Sequence, residues 1–174
     1  LLNTMTADGD STLSDTSSMT SAYDEYMFVM TDINPATDND ELAFQVNAVG
    51  ETGFNEYMTT TFFEAQHSES GTAVGPGYES GKDQAQGTAY QQLTDNTGNG
   101  SDECVAGVLH LFNPASTTYV KHFYARTNTN TYDDVCIQAF TAGYINTTAA
   151  IDEISFTMFS GGNFDGVIQM YGIA

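Results

Sequence analysis

Apolar and polar residues alternate one by one along several short segments of this chain, and this feature most constrains its fold. In segment 41–48 the side chains of Leu42, Phe44 and Val46 alternate with smaller or polar neighbours, and segment 151–159 repeats the pattern. Successive side chains of a β-strand point to opposite faces of the sheet, so this spacing predicts strands with one buried face.

Further segments rich in Thr, Tyr and Phe also read as strands, because these residues suit a pleated, half-buried surface. Counting the two alternating segments, the main predicted strands are 23–31, 41–48, 57–65, 104–112, 118–126, 135–144, 151–159 and 167–173. An irregular strand near the N-terminus and short strands around residues 78 and 90–93 complete the set.

Turn signals separate these segments, and no stretch has the pattern of an amphipathic helix. Asn-Pro corners occur at 34–35 and 113–114, and clusters of Gly, Asn and Asp occur at 95–102, 128–131 and 161–163. Short strands joined by such turns indicate a sandwich or barrel. We therefore predict an all-β protein, a two-sheet antiparallel β-sandwich of jelly-roll type with about eight strands, formed as a single domain by residues 1–174.

The charge of the chain is one-sided. It has 23 Asp and Glu against three cations, Lys82, Lys121 and Arg126, for a formal net charge of −20, while 40% of its residues are hydrophobic. Such a chain has enough apolar material to fold, but it lacks the clustered Lys and Arg that bind a phosphate backbone or an anionic lipid surface. We expect no nucleic-acid partner and no membrane partner. The sequence leaves open what preceded Leu1.

Histidines and acidic turns are the candidates for metal binding. His110 and His122 lie on consecutive predicted strands and could face each other, but no third ligand with a known metal spacing accompanies them. The acidic turns at 8–10 and 38–41 are rich in oxygen ligands without matching a calcium-binding loop, so weak calcium binding there stays open.

No residue stands out as catalytic or cofactor-binding. Five adjacent carboxylate pairs begin at Asp24, Asp40, Asp102, Asp133 and Asp152, nearly all at strand edges or in turns, and nothing favours one pair over another. The chain contains none of the fingerprint motifs for nucleophile elbows, phosphate loops or dinucleotide binding. We predict a non-enzymatic protein without catalytic residues, metal or cofactor. Whether Cys104 and Cys136 form a disulfide stays open, because their separation in space is not encoded in their spacing.

The order of several motifs resembles the jelly-roll virion modules of tailed bacteriophages, especially marine and cyanobacterial phages. The segments that carry the resemblance are 1–4, 21–28, 33–38, 107–114, 120–123, 154–156, 160–166 and 170–173. They span nearly the whole chain, and each is moderately specific. The chain departs from the family at Gly162, which lengthens one turn.

The resemblance implies a structural protein on the outer surface of a virion, with no catalytic residues to transfer. Within this family the expected role is a capsid decoration, or cement, protein that forms a homotrimer and binds the major capsid protein. Strong negative charge suits an outer-surface protein, because it limits adhesion to DNA and to other particles.

Two other functions fit the sequence. One is a tail-fibre, receptor-binding module for host surface glycan, with a shallow site of aromatics and amides at the Gly-rich loop 71–87, including Tyr78, or at the turn 95–102, because loops on a rigid sandwich carry binding. The other is a polysaccharide depolymerase, which the short chain and the absence of repeats disfavour. Neither the position on the particle nor the symmetry of an oligomer follows from the sequence.

Overall fold

A computed structural model describes every residue from Leu1 to Ala174 and is built almost entirely of strands. Thirteen strands are present: β1 (Asn3–Asp10), β2 (Thr12–Asp15), β3 (Glu25–Pro35), β4 (Leu42–Ala48), β5 (Met58–Ser68), β6 (Val74–Tyr78), β7 (Ala85–Gly87), β8 (Gln91–Gln92), β9 (Val105–Phe112), β10 (Lys121–Asn130), β11 (Val135–Ile145), β12 (Ile151–Met158) and β13 (Phe164–Ile173). A single 3-10 turn at Ser80–Lys82 is the only helical element. No helix in the structure is both long and apolar enough to cross a bilayer.

The strands form two antiparallel sheets of unequal width. The large sheet has nine strands in the order β1-β13-β3-β9-β10-β11-β5-β6, with β7 also paired to β5, and the small sheet has the order β2-β12-β4-β8. The predicted all-β sandwich is confirmed. The predicted number of about eight strands is too low, because five further strands extend the large sheet.

Eight of the strands follow the jelly-roll order. The set β1-β13-β3-β9 faces the set β2-β12-β4-β8, and the chain changes sheet at each step from β1 to β4, from β8 to β9 and from β12 to β13. This alternation between two four-stranded sheets is the jelly-roll arrangement. The predicted fold type is therefore present within a larger sandwich.

The other five strands come from two insertions. The segment β5–β7 lies between β4 and β8, and the hairpin β10–β11 lies between β9 and β12. Together they continue the large sheet beyond β9, and we call β5, β6, β7, β10 and β11 the wing. The wing has its own cross-strand register, in which Phe140 of β11 lies between Phe63 of β5 and Arg126 of β10.

A cluster of aromatic side chains fills the space between the two sheets. The ring centroids of Phe44 and Phe123 lie 5.0 Å apart, and those of Phe28 and Phe156 lie 5.6 Å apart. Phe44 of β4 also approaches Phe156 of β12 at 6.4 Å, and through Phe123 it contacts β10, the strand that follows β9 in the large sheet. All four belong to one cluster of 27 buried residues that spans both sheets.

The small sheet reaches the inner face of the wing only through Phe44 and the two-residue strand β8, and polar chain covers much of the rest. The Thr127 hydroxyl donates to the Leu93 carbonyl at 2.6 Å, the Thr60 hydroxyl donates to Gln91 at 2.8 Å, and the Phe62 amide donates to Asp83 at 2.7 Å. Buried polar groups need such partners, because an unpaired one costs free energy. The segment from Glu79 to Thr97 is therefore the lid of the wing's interior.

The turn predicted at 128–131 is wrong, and the Gly-rich loop at 71–87 is more regular than expected. Residues 71–87 contain the expected short strand at Tyr78, which is β6, and also the 3-10 turn and β7, since an edge strand tolerates Gly75 and Pro76. Residues 128–130 end β10 instead of forming a turn, because Thr129 is buried and bonds to Thr97.

Loss of a central core ring should destabilise the fold far more than loss of an exposed ring. We expect Phe44→Ala to lower the free energy of unfolding by about 3–5 kcal/mol, through lost burial and the cavity left behind. The matched control, Phe159→Ala, removes a side chain that is 48% exposed and should cost less than about 1 kcal/mol. Urea unfolding followed by circular dichroism measures both, and equal losses would contradict this packing.

Candidate functional site

The outward side chains of five neighbouring strands include no Asp or Glu, although the chain has 23 of them. We call this surface the acid-free face. It consists of every second residue of these strands, namely residues 106–112 of β9, 122–130 of β10, 136–144 of β11 and 74–78 of β6 at even positions, and residues 59–67 of β5 at odd positions. The strands alternate strictly here, so each of these residues has a buried or half-buried neighbour on the inner side.

The acid-free face also collects the basic side chains of the protein other than its two lysines. Arg126, the only arginine, lies on it together with the three histidines, His67, His110 and His122. The two lysines point into the protein: Lys121 is fully buried, and the Lys82 side chain is 12% exposed and held by carboxylates. The rest of the surface is therefore anionic, and this face is the exception.

Two ridges of aromatic side chains cross the acid-free face at right angles to the strands. In the first ridge, Phe112, His122 and Tyr144 lie side by side on β9, β10 and β11. The His122 and Tyr144 ring centroids are 6.1 Å apart.

The second ridge runs from Arg126 through Phe140 and Phe63 to Tyr78, across four strands. The Phe63 and Phe140 rings stack at 4.9 Å with an interplanar angle of 7°, and the Arg126 guanidinium lies 5.7 Å from the Phe140 centroid. Stacking of this kind holds both rings in fixed orientations.

A groove lies between the ridges. Its floor row contains Tyr124, Ala142 and Thr61 on adjacent strands, and the small side chain of Ala142 leaves the depression. The row of Tyr124 and Ala142 separates two cavities, one of about 470 Å³ beside the first ridge and one of about 290 Å³ beside the second. The His110 ring stacks on the Tyr124 ring, with the two centroids 4.6 Å apart, and so limits the orientations that Tyr124 can adopt.

The two histidines expected to face each other do not do so. In the β9–β10 register His110 lies opposite Tyr124, which puts His122 one row further along, beside Phe112. His110 Nδ1 bonds instead to the Glu25 carboxylate at the rim of the face. No group of three or more His, Cys, Asp or Glu side chains in the structure lies close enough together to hold a metal ion.

The acidic turns use their carboxylates for structure. Asp40 is buried and accepts bonds from its neighbour Glu41 and from both the amide and the hydroxyl of Ser160. At the other turn, the Asp10 carboxylate accepts the Asp8 amide, next to the irregular end of the β1–β13 pair. Neither turn gathers several carboxylates around one point.

The two cysteines are free. The backbone amide of Asn130 donates a hydrogen bond to the Cys104 carbonyl. On its other side, Asn130 lies opposite Cys136 in the β10–β11 pair. The two thiols are therefore two strand spacings apart, roughly 10 Å, which is beyond the reach of a disulfide. Burial, with the Asp32 charge, raises the pKa of the Cys104 thiol.

A buried ionic cluster lies beneath the wing and was not predicted. Lys82 Nζ lies 2.8 Å from Asp95 and 3.1 Å from Glu41, and Glu64 of β5 is only 3% exposed beside them. One Glu64 carboxyl oxygen has no hydrogen-bond partner. The burial of Glu64 could have been predicted from the sequence, because Glu64 follows Thr60 and Phe62 at every second position of β5 and therefore points to the same, inner face.

The cluster changes the ionisation of two of its members. Burial, followed by the charges of Asp95 and Glu79, raises the pKa of Glu64 to about 7. Burial alone would lower the pKa of Lys82, but its hydrogen bond to Asp95 and the charges of Asp95 and Glu41 outweigh burial and raise it. The cluster therefore places the buried Glu64 of β5 next to the ion pairs of the segment that covers the wing.

The two loops expected as places for a glycan site lie in different surroundings. Tyr78 belongs to the acid-free face as the end of the second ridge, and its hydroxyl donates to Asp83. The turn 95–102 is partly buried instead: Thr97 is fully enclosed and pairs with Asp40 and Thr131. The structure thus assembles its aromatic groove on a sheet face, which the loop-based expectation missed.

Comparisons with known proteins assign no family. No family model matches the chain, and no curated protein matches it. Among solved structures, the chain is similar to a structural-genomics protein of unknown function from Bacteroides ovatus, with 6% sequence identity and a TM-score of 0.33. The similarity covers 60% of this chain and 45% of that one.

Protonation of Glu64 should make stability depend on pH. Its folded pKa of about 7 lies above the ordinary value of 4.5, so the folded state binds this proton more tightly than the unfolded state. The resulting stabilisation is complete below about pH 4.5 and is lost as the pH rises through 7. Relative to Glu64→Gln, the wild type should therefore lose on the order of 2 kcal/mol between these two pH values.

Urea unfolding from pH 4 to 8 measures this difference. The exposed Glu69 of the β5–β6 hairpin provides the control, since Glu69→Gln removes a carboxylate that is not enclosed. A wild type and a Glu64→Gln variant with parallel pH profiles would contradict the assignment.

Proposed function

We propose that this protein is a non-enzymatic structural protein of a tailed bacteriophage and works by presenting the acid-free face to a binding partner. The observation that carries the proposal is the segregation of charge: a chain of −20 keeps one wide sheet face clear of carboxylates and lines it with aromatic rings. Binding surfaces are depleted of Asp and Glu and enriched in Tyr, Phe and Arg. The jelly roll is a fold used in viral particles, which agrees with the motif order described above.

The setting we propose is the outer surface of the virion, as a capsid decoration protein attached to the major capsid protein. An anionic exterior supports this, because it opposes adhesion to DNA and to neighbouring particles. We assign no catalytic activity to the protein.

A receptor-binding module on a tail fibre is the second candidate, and the aromatic groove favours it. In that case the same face would contact host surface glycan. Location on the particle separates the two candidates. Quantitative mass spectrometry of purified particles should find hundreds of copies for a shell protein and at most a few dozen for a tail protein, and immunogold labelling should agree. Absence from particles would end both candidates.

Self-association should produce a homotrimer through a surface other than the acid-free face. Among the apolar side chains exposed outside that face, Leu2 and Ile173 lie at the paired ends of β1 and β13, and each is more than a third exposed. Closed symmetric oligomers pack such patches together. Light scattering during gel filtration should give three times the 18.7 kDa of one chain, and Leu2→Asp should shift the mass towards the monomer.

The control for this measurement is Ala142→Asp, which places a charge on the acid-free face and should leave the mass unchanged. A wild type that is monomeric at micromolar concentration would count against the trimer in solution. A mass lowered by Ala142→Asp but not by Leu2→Asp would move the contact between copies onto the acid-free face.

A further inference from the structure

We propose that Lys82 and Asp95 become joined by an isopeptide bond, an amide between their two side chains, and that the buried Glu64 assists its formation. The bond would lie beneath the wing, on the opposite side of β5 from the acid-free face. It is independent of the function proposed for that face, and it assigns a covalent role to the ionic cluster.

The two reacting groups are already in contact. Lys82 Nζ lies 2.8 Å from Asp95 Oδ1, and each of the two side chains is only 12% exposed. Groups held together in a fixed geometry react as if present at effective concentrations of roughly 10⁵ M or more. Amide formation is slow between free amines and carboxylates, but here it becomes a step within one molecule.

Neighbouring contacts hold the two groups in place. Lys82 ends the 3-10 turn, and its backbone carbonyl accepts a hydrogen bond from the Gln91 side chain at 3.1 Å. Its ammonium lies 5.8 Å from the centre of the Phe62 ring. Two residues before Asp95, the fully buried Leu93 donates its amide to a carbonyl of β4. The pair is therefore anchored to both sheets.

A buried acid lies beside the pair. Glu64 is 3% exposed, and one of its carboxyl oxygens has no hydrogen-bond partner. Burial, the charges of Asp95 and Glu79 and a hydrogen bond with Asp95 raise the pKa of Glu64 to about 7, so this carboxyl holds a proton below that pH. A protonated carboxyl can donate to the Asp95 carboxylate, and this makes Asp95 Cγ a better electrophile.

A structural ion pair would not require this third carboxyl. A buried polar atom without a partner costs free energy, and an apolar residue at position 64 would avoid that cost. Glu41 also contacts Lys82, but its oxygen is further away, at 3.1 Å, and its side chain is more exposed, at 17%. Asp95 is therefore the electrophile, because Glu64 is bonded to it.

The reaction balances without a co-reactant. The Lys82 ammonium gives one proton to the Glu41 carboxylate, and the resulting amine attacks Asp95 Cγ to form the C–N bond. Glu64 donates a proton to an Asp95 oxygen. The nitrogen then gives up a second proton, the C–O bond breaks, and the oxygen leaves as water, which returns Glu41 and Glu64 to their first states. One ammonium and one carboxylate become one amide and one water molecule, with no oxidation or reduction.

The bond would remove two buried charges. An ammonium and a carboxylate in the interior lose their hydration, and their mutual attraction repays this cost only in part. A neutral amide does not carry that cost. The bond would also close residues 82–95 of the lid into a ring, which restricts the unfolded chain as a disulfide does. The burial that is the largest cause of the raised pKa of Glu64 would remain.

Mass spectrometry of the intact, denatured protein tests the proposal. The wild type, folded and incubated at pH 6–7, should be lighter than its sequence by one water molecule. Lys82→Arg should keep the full sequence mass, because a guanidinium stays protonated and is no nucleophile. Glu64→Gln should keep it as well, because an amide cannot relay the proton. Trypsin should cleave the wild type after Lys121 and Arg126 but not after Lys82, whose nitrogen is acylated.

The matched control is Lys121→Arg, which changes the other buried lysine. Lys121 Nζ donates to the backbone carbonyls of Thr147 and Ala149 and forms no ion pair, so this variant should lose one water molecule as the wild type does. Circular dichroism checks that each variant is folded.

The full sequence mass in the folded wild type would overturn the proposal, whatever the variants do. So would a loss of water that persists in Lys82→Arg, since it would come from a succinimide at an Asp-Gly sequence such as Asp8–Gly9. A loss that persists in Glu64→Gln would overturn the role of Glu64. None of these outcomes depends on whether the protein is found on particles.

Discussion

The unequal width of the two sheets determines the rest of this structure. A four-stranded sheet can cover only part of a nine-stranded one, so the jelly roll has a full sandwich core while the wing extends beyond it. An uncovered sheet would expose its inner face to water and forfeit the burial that drives folding. The protein closes that side with the polar segment from Glu79 to Thr97, and it leaves the opposite side of the wing open.

The polar lid explains the unusual interior of the wing. A sheet would bring apolar side chains to that interior, whereas an irregular segment brings amides, carbonyls and carboxylates that need partners. The buried threonines Thr60, Thr127 and Thr129 supply hydroxyls for them. Lys82 supplies a charge for Glu41 and Asp95, and the third carboxyl, Glu64, is left with a raised pKa. The burial of both lysines makes the remaining exterior still more anionic.

The sequence predicted individual strands far better than it predicted their neighbours. The predicted segments match β4, β9, β11 and β12 to within one residue at each end. Alternation of apolar and polar residues marked β4 and β12, and strand-favouring composition between turn signals marked β9 and β11, so each strand left a local trace in the sequence. Pairing leaves no such trace. That β5 lies beside β11, and not beside β4, depends on contacts between residues far apart in the chain.

The Asn-Pro corners make the same point. Both follow an apolar strand, yet the first leads from the large sheet to the small one and the second returns within the large sheet. The residue types that form a corner are a local property of the sequence, but packing determines which sheet the chain enters after the corner. The groove could not be predicted for this reason: its rows join Tyr124, Ala142 and Thr61, which adjoin one another only through the register of three strands.

Register also explains why the core and the acid-free face depend on each other. Phe62 faces the lid and Phe63 the groove, and Phe123 packs in the sandwich core while Tyr124 stands in the groove. A slip of one residue would exchange every inward side chain for an outward one. Such a slip in β5 would bring Glu64 to the surface and His67 into the interior, against both the burial and the charge pattern. The interior contacts that favour one register therefore also determine where the aromatic ridges lie on the outer face. No additional interaction is needed to form the groove.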